Sequence, residues 1–308
     1  MAQTSGMGVR FDVLFTQYRW LNTPSGDFYG SPESNSLHLL RSYFTRYPED
    51  SKRVVLSIKT AFSRESMTPD CSPEGIRRSI DNCLAILDGK VFIDILEPAR
   101  VDPKVPIETT VAAISEYVKA GKIGGVGLSE CSAATLRKAH AVYPIQGIER
   151  EFSLFTTDPL TNGLVETCAE LEIPLIGHSP LSHGFLSGSI RKPEDIPEDN
   201  PMLKIMPRYQ LEVFGENLKL VDEVKALADR KGATVAQVAI NWSRVIGSRY
   251  KGLVVIPLPG ATSVQRVEEN LKILDLTNED LDRIQQILDC LPIQGSRYPE
   301  HLLKMSDL

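Results

Sequence analysis

Six polar side chains stand at the C-terminal ends of apolar, β-branched runs: Lys59 after VVLSI, Glu97 and Arg100 after VFIDIL, Ser129 closing IGGVGLS, Glu149 closing IQGIE, and His178 in PLIGHS. Parallel strands would bring all of these to one edge. An ammonium, carboxylates, a hydroxyl and an imidazole gathered there could bind a small molecule and exchange protons with it. A second signal lies near the end of the chain. After LVVIPL, the residues Pro259, Gly260 and Ala261 turn into a helix whose first N–H groups can receive an anion. Thr262 adds a hydroxyl, and Arg266, a turn further on, can offer its guanidinium fork to a phosphate. No metal-ligand set, no carboxylate pair suited to hydrolysis and no GxGxxG after a strand is evident.

The elements that must position these residues follow from periodicity. Strand-like runs alternate with amphipathic stretches at Pro73 to Leu87, Ile107 to Gly121, Ala133 to His140 and Gly163 to Leu171. An irregular Pro-, Gly- and Ser-rich stretch runs from Ser179 to about Pro207. It is followed by helices near Asn217 to Arg230, from Thr234, and from Ser263 to Ile273. Ser72 with Pro73 opens the first of these helices, and Thr277 with Asp280 caps a final one. The Glu- and Lys-rich stretch from Glu212 to Lys231 reads as a solvated helix face. Strand–helix alternation without a change in composition predicts parallel strands with helical crossovers, hence a (β/α)8 TIM barrel of the α/β class, with a doubly wound sheet as the competitor.

Composition sets the wider class. The 308 residues are 42% hydrophobic, 24% charged and 7% aromatic, which excludes collagen-like, coiled-coil and wholly disordered chains. No apolar run reaches the ~18 residues of a membrane span, and MAQTSGMGVR lacks the pattern of a signal peptide. Cys71, Cys83, Cys131, Cys168 and Cys290 form no CxxC pair and read as reduced thiols. A net charge of −6 argues against nucleic acid as a partner. The expectation is one cytoplasmic domain over residues 1–308 that takes a small molecule, with no metal, membrane or nucleic acid involved.

Seven segments in order resemble the aldo-keto reductase family: GDFYG ending at Gly30, LSIKT around Lys59, ARVDPKVPIETT from Ala99, GKIGGVGLSE ending at Glu130, EREFSLF from Glu149, IGHSPLSHG from Ile176, and VVIPLPGATSVQRVEEN ending at Asn270. The ARVDP segment is most similar to the fungal pyridoxal reductase-like branch. The resemblance implies hydride transfer between NADPH and a carbonyl, with Tyr29 as proton donor and Lys59 as its electrostatic partner. A tyrosine near pKa ~10 is a weak acid at neutral pH unless a cation stabilises its phenolate. The family's histidine position falls on Ala99. Its aspartate position falls on Pro24 without a gap, or on Asp12 if residues 13–24 are an insertion. For NADP, the resemblance places Ser129, Glu130 and Glu149 at the nicotinamide carboxamide and stacks His178 on the ring. Ser179 and Leu181 go to the pyrophosphate, Gly260, Thr262 and Arg266 to the 2′-phosphate side, and Glu269 and Asn270 to the adenine. Glu130 and Glu149 stand where amides are usual, and unneutralised they would favour the oxidised cofactor. The missing histidine leaves an alternative reading, an NADP-binding protein with weak or no redox turnover. In such barrels the C-terminal tail, here RYPEHLLKMSDL, can cover the mouth.

Length enters last. Tyr29 belongs after a second strand, yet Gly8 to Asp12 already resembles that strand, so the first β/α unit is expected to be lacking or replaced. Seven strands are countable where closure needs eight. An exposed barrel edge there would favour self-association.

Overall fold

The computed structural model describes residues 26, 29–31, 33–63, 66, 68–196, 198, 201–261, 263–303 and 307. Asp12, Pro24, Thr262 and the strand expected near Val9 lie outside the described residues. Six parallel strands form the central sheet: β1 (Ser57–Thr60), β2 (Ile95–Pro98), β3 (Val126–Ser129), β4 (Ile145–Glu151), β5 (Leu175–His178) and β6 (Val255–Leu258). Each strand pairs with the one before it in the chain, so spatial order follows sequence order from β1 to β6. Gly26 adds a parallel bridge to Lys59 on the outer side of β1. A doubly wound sheet reverses its strand order at a switch point. No reversal occurs among the described strands, and the order is that of a (β/α) barrel.

Helices supply the crossovers. They are α1 (Ser36–Arg46), α2 (Pro73–Leu87), α3 (Ile107–Lys119), α4 (Ala133–Val142), α5 (Leu164–Glu170), α6 (Leu211–Arg230), α7 (Val235–Val245), α8 (Val264–Asn270) and α9 (Asn278–Cys290). In α2 the Ser72 hydroxyl accepts from Gly75 N, Pro73 occupies the first turn, and Ile76, Ile80, Cys83 and Leu87 form the buried stripe. Each fully buried Ile or Leu of that stripe contributes about 1.5–3 kcal/mol. Thr277 and Asp280 form the reciprocal cap expected of them at the start of α9. Helix α7 is buried from Val235 through Ser243, and its Trp242 stacks on Phe152 with ring centroids 5.2 Å apart.

Several bounds differ from the sequence expectation: β1, β3 and β6 begin later than the runs VVLSI, IGGVGLS and LVVIPL, and α8 ends at Asn270, before Ile273. Two further differences have a visible cause. Strand β2 begins at Ile95, not at Val91. Phe92 is 49% exposed, and the Asp94 carboxylate accepts from Leu56 N at 2.7 Å, so the first residues of VFIDIL form a turn that docks β1. Helix α6 begins at Leu211, before Asn217, and it is not a solvated face all round. Phe214, Asn217, Leu220, Val221, Val224, Leu227 and Ala228 bury one side at the spacing of an amphipathic helix. No described helix is long and apolar enough to cross a membrane.

Candidate active site

The C-terminal edge of the sheet carries a row of buried ionisable groups. Lys59, next to last in β1, is only 2% exposed; its Nζ donates to Glu149 Oε1 of β4 at 2.8 Å, and Glu149 is equally buried. Beside them Glu97 is the register partner of Lys59 on β2. Glu97 is 1% exposed, and neither of its carboxyl oxygens accepts a hydrogen bond among the described residues. Burial first, then the charge of Glu149, pushes its carboxyl well above the usual carboxylate range.

Tyr29 reaches this edge through the turn that precedes α1. Its backbone N donates to Gly26 O at 3.3 Å, and its carbonyl accepts from Ser36 N at 2.8 Å. Gly26 is bridged to Lys59, so the tyrosine follows by three residues the position aligned with the lysine. Gly30 has φ +118°, and a Cβ there would lie 2.3 Å from Ser34 O, so the turn requires glycine after the tyrosine. Asn35 then caps α1, accepting from Leu37 N and His38 N. The turn and the cap together fix where the Tyr29 side chain starts.

A second cluster joins β3, β4 and β5 to the tail. Glu130 is completely buried. Its carboxylate accepts from Arg297 Nη2 at 2.7 Å, His178 Nε2 at 2.8 Å, Glu151 N at 2.8 Å and Arg150 Nη1 at 3.2 Å. Glu151 accepts from Arg297 Nε at 3.1 Å and Thr156 Oγ1 at 2.8 Å, with Arg208 Nη1 at 3.8 Å. Arg150 reaches Asp158 Oδ2 at 2.6 Å with its other nitrogen. Burial alone would raise both glutamates. The Arg297 charge outweighs it only together with His178 and Arg150 at Glu130 and with His183, His178 and Arg208 at Glu151. Glu130 is thereby held well below the usual range and Glu151 near about 2.

Two residues that the resemblance places at a nicotinamide carboxamide have internal partners: Glu149 accepts from Lys59, and Glu130 accepts from Arg297, His178, Arg150 and Glu151 N. Each of these buried acids thus has a cationic partner inside the protein. The resemblance offers the lysine's carboxylate at Asp12, with Pro24 as the ungapped and non-ionisable position, both outside the described residues, while Glu149 pairs with the lysine from β4. Arg150, Glu151 and Arg297 were missed altogether. The run Glu149-Arg150-Glu151 at the end of a buried strand was a usable signal, because three consecutive charges there require partners.

The other expected residues divide by neighbourhood. Ser129, ending β3, is buried, and its hydroxyl has no hydrogen-bond partner among the described residues, a donor available to a ligand at the edge. Across β5, His178 Nδ1 lies 3.2 Å from Ser179 Oγ. Ala61, Glu130 and Ser179 adopt positive φ just past the strand ends, so strained backbone concentrates at this edge. Leu181 packs against the core. Beyond β6, Asn270 Nδ2 donates to Gly260 O at 3.2 Å, Glu269 accepts from Thr234 Oγ1 at 2.8 Å, and Arg266 lies exposed on α8. The Ser129 hydroxyl and the Arg266 cation are the kinds of donor a dinucleotide phosphate would need. Ala99 is buried beside Thr60 and offers no side-chain donor.

A parallel barrel whose strand ends gather a buried lysine, its carboxylate and a tyrosine turn has the layout of a TIM-barrel enzyme. The chain belongs to the aldo/keto reductase family, whose sequence profile matches residues 18–289. Over 284 residues it is 39% identical to the probable pyridoxal reductase 2 of Schizosaccharomyces pombe, covering 90% of this chain and 84% of that one. An NADP(+) aldo-keto reductase of the same yeast is 33% identical over 256 residues, covering 80% and 73% of the two chains. The glycerol dehydrogenase of Gluconobacter oxydans shares the fold, with a TM-score of 0.68, 17% identity and coverage of 92% and 97%.

Proposed function

We propose that this chain is an NADP-dependent reductase of small carbonyl compounds, with pyridoxal-type aldehydes as the first substrates to test. The observation that carries the reading is the buried Lys59–Glu149 pair, 2.8 Å apart, at the strand edge where the Tyr29 turn is tied down. A lysine buried with its own carboxylate is held as an ammonium at a fixed point. A fixed ammonium close to a phenol lowers the free energy of the phenolate and so strengthens the phenol as an acid. Tyr29 Oη would give its proton to the carbonyl oxygen as charge develops there. Ala99 leaves the orienting position without a donor, so recognition of the carbonyl rests on Tyr29. Ser129, Ser179, Arg266 and Asn270 are the residues that would hold NADPH, which supplies the hydride when bound. The names of the relatives support both the cofactor and the substrate class.

The test follows NADPH absorbance with pyridoxal and a panel of aldehydes. Wild type should turn over, and Tyr29→Phe should lose about 10²–10⁴-fold, the contribution of a positioned proton donor. Ala99 favours a second reading, an NADP-binding barrel without turnover. NADPH binding by fluorescence quenching with no aldehyde reduced above the Tyr29→Phe background would select it.

A further inference from the structure

Three ionisable groups, Lys59, Glu97 and Glu149, share one dry pocket at the sheet edge, and they comprise two acids and one base. Lys59 Nζ satisfies Glu149, leaving Glu97 with no hydrogen-bond donor on either oxygen. The neighbours explain why. On the β3 side the residue against Glu97 is Gly127, where even a Cβ would come within 3.3 Å of the glutamate's own Cβ. Two residues on, just past the end of β2, is Ala99. The charged groups that act on Glu97 are Glu149, Lys59 and Arg100; Glu149 is also within hydrogen-bonding reach of a protonated Glu97, and the guanidinium of Arg100 is turned to the Ala99 carbonyl at 2.6 Å. A second carboxylate in this pocket would have neither a cation of its own nor a single hydrogen bond, a state that buried acids avoid by keeping their proton.

We propose that Glu97 and Glu149 act as one acid–carboxylate pair serving Lys59: Glu149 is the ionised member that holds the ammonium, and Glu97 is a proton-bearing reserve that ionises and takes over the ammonium when Glu149 is neutralised. The pair then carries a single negative charge shared over two sites, and Lys59 never lacks a counter-ion. Both glutamates are positioning residues, acting through Lys59. That consequence for turnover rests on the reductase reading above, whereas the location of the proton does not.

Infrared spectroscopy of the full chain without cofactor decides the matter. At neutral pH the wild type should show a carboxylic-acid carbonyl stretch, the mark of a buried acid that keeps its proton beside the Glu149 carboxylate. Glu97→Gln should abolish it. Glu149→Gln should abolish it too, because Glu97 then releases its proton to pair with Lys59, while Glu149→Asp should keep it. A band that survives in Glu97→Gln, or that persists in Glu149→Gln, overturns the proposal. Should Glu149→Gln fail to fold by circular dichroism, the wild type, Glu97→Gln and Glu149→Asp still decide where the proton sits. In a turnover assay each single Gln variant should stay within about tenfold of wild type, and the double variant should fall at least about a hundredfold. Additive losses in the cycle would also overturn it. If no aldehyde is reduced by any variant or by wild type, the reductase reading fails and the infrared result stands independently.

Discussion

Replacing Arg297 with alanine should destabilise the protein by about 3 kcal/mol and make it more sensitive to acid. Arg297 is 7% exposed and bonds Glu130 at 2.7 Å and Glu151 at 3.1 Å. Breaking a buried pair by removing one partner costs about 3–5 kcal/mol, because a charge is left uncompensated. Glu130 keeps Arg150 and His178, and Glu151 keeps Thr156 and Arg208, which points to the lower end of that range. The carboxyl of Glu151 responds to Arg297 together with His183, His178 and Arg208. Glu151 falls from 4.5 to about 2 in the folded protein, a stabilisation of about 3 kcal/mol at 1.36 kcal/mol per pH unit. A carboxyl depressed on folding adds stability above its unfolded pKa and loses it as pH falls through the folded value. The wild type should therefore weaken between pH 4.5 and about 2 as Glu151 takes up its proton. The Arg297 charge is the largest force lowering both glutamates, so in Arg297→Ala this window moves to higher pH. Urea melts at neutral pH and down an acid series measure both effects. A neutral-pH loss below about 1 kcal/mol with an unmoved acid limb would refute the view that the tail arginine holds this cluster together.

Arg266→Ala should weaken NADPH binding by about 1.5–3 kcal/mol, roughly 10–100-fold, and leave NADH unchanged, as judged by fluorescence titration. Equal loss for both cofactors, or none, would remove Arg266 from the 2′-phosphate. Of the five cysteines only Cys290 is exposed, so a thiol reagent should titrate one group quickly in the native protein and the other four only on unfolding. More than one fast thiol would contradict the packing of Cys71, Cys83, Cys131 and Cys168.

What could be read from the sequence was what neighbouring residues decide. Ser72 with Pro73 and Thr277 with Asp280 were readable caps because a side chain meets a backbone N–H three residues on. Lys59, Ser129 and His178 were readable as edge residues because each follows an apolar run. The start of α6 was hidden because Gln210 makes no side-chain cap. The bond from Lys59 to Glu149 spans 90 residues and depends on how β1 and β4 face each other, which no local pattern encodes. The tail arginine was hidden for the same reason, since nothing near Arg297 in sequence announces Glu130 or Glu151.

The strand order also separates two timescales of assembly. Each strand pairs with its predecessor, so the sheet can grow one β/α unit at a time, each parallel pairing waiting on the helical crossover that precedes it. The ion pairs at its edge close loops of 90, 146 and 167 residues, and such contacts form only after the strands that carry them. The charged edge is therefore late on the folding path and largely absent from its transition state. Changes there should quicken unfolding and leave the folding rate nearly untouched. Arg297→Ala would show this as a raised unfolding limb beside an unmoved folding limb. The apolar sheet can thus be assembled by one set of residues while another set is free to vary in the chemistry it performs.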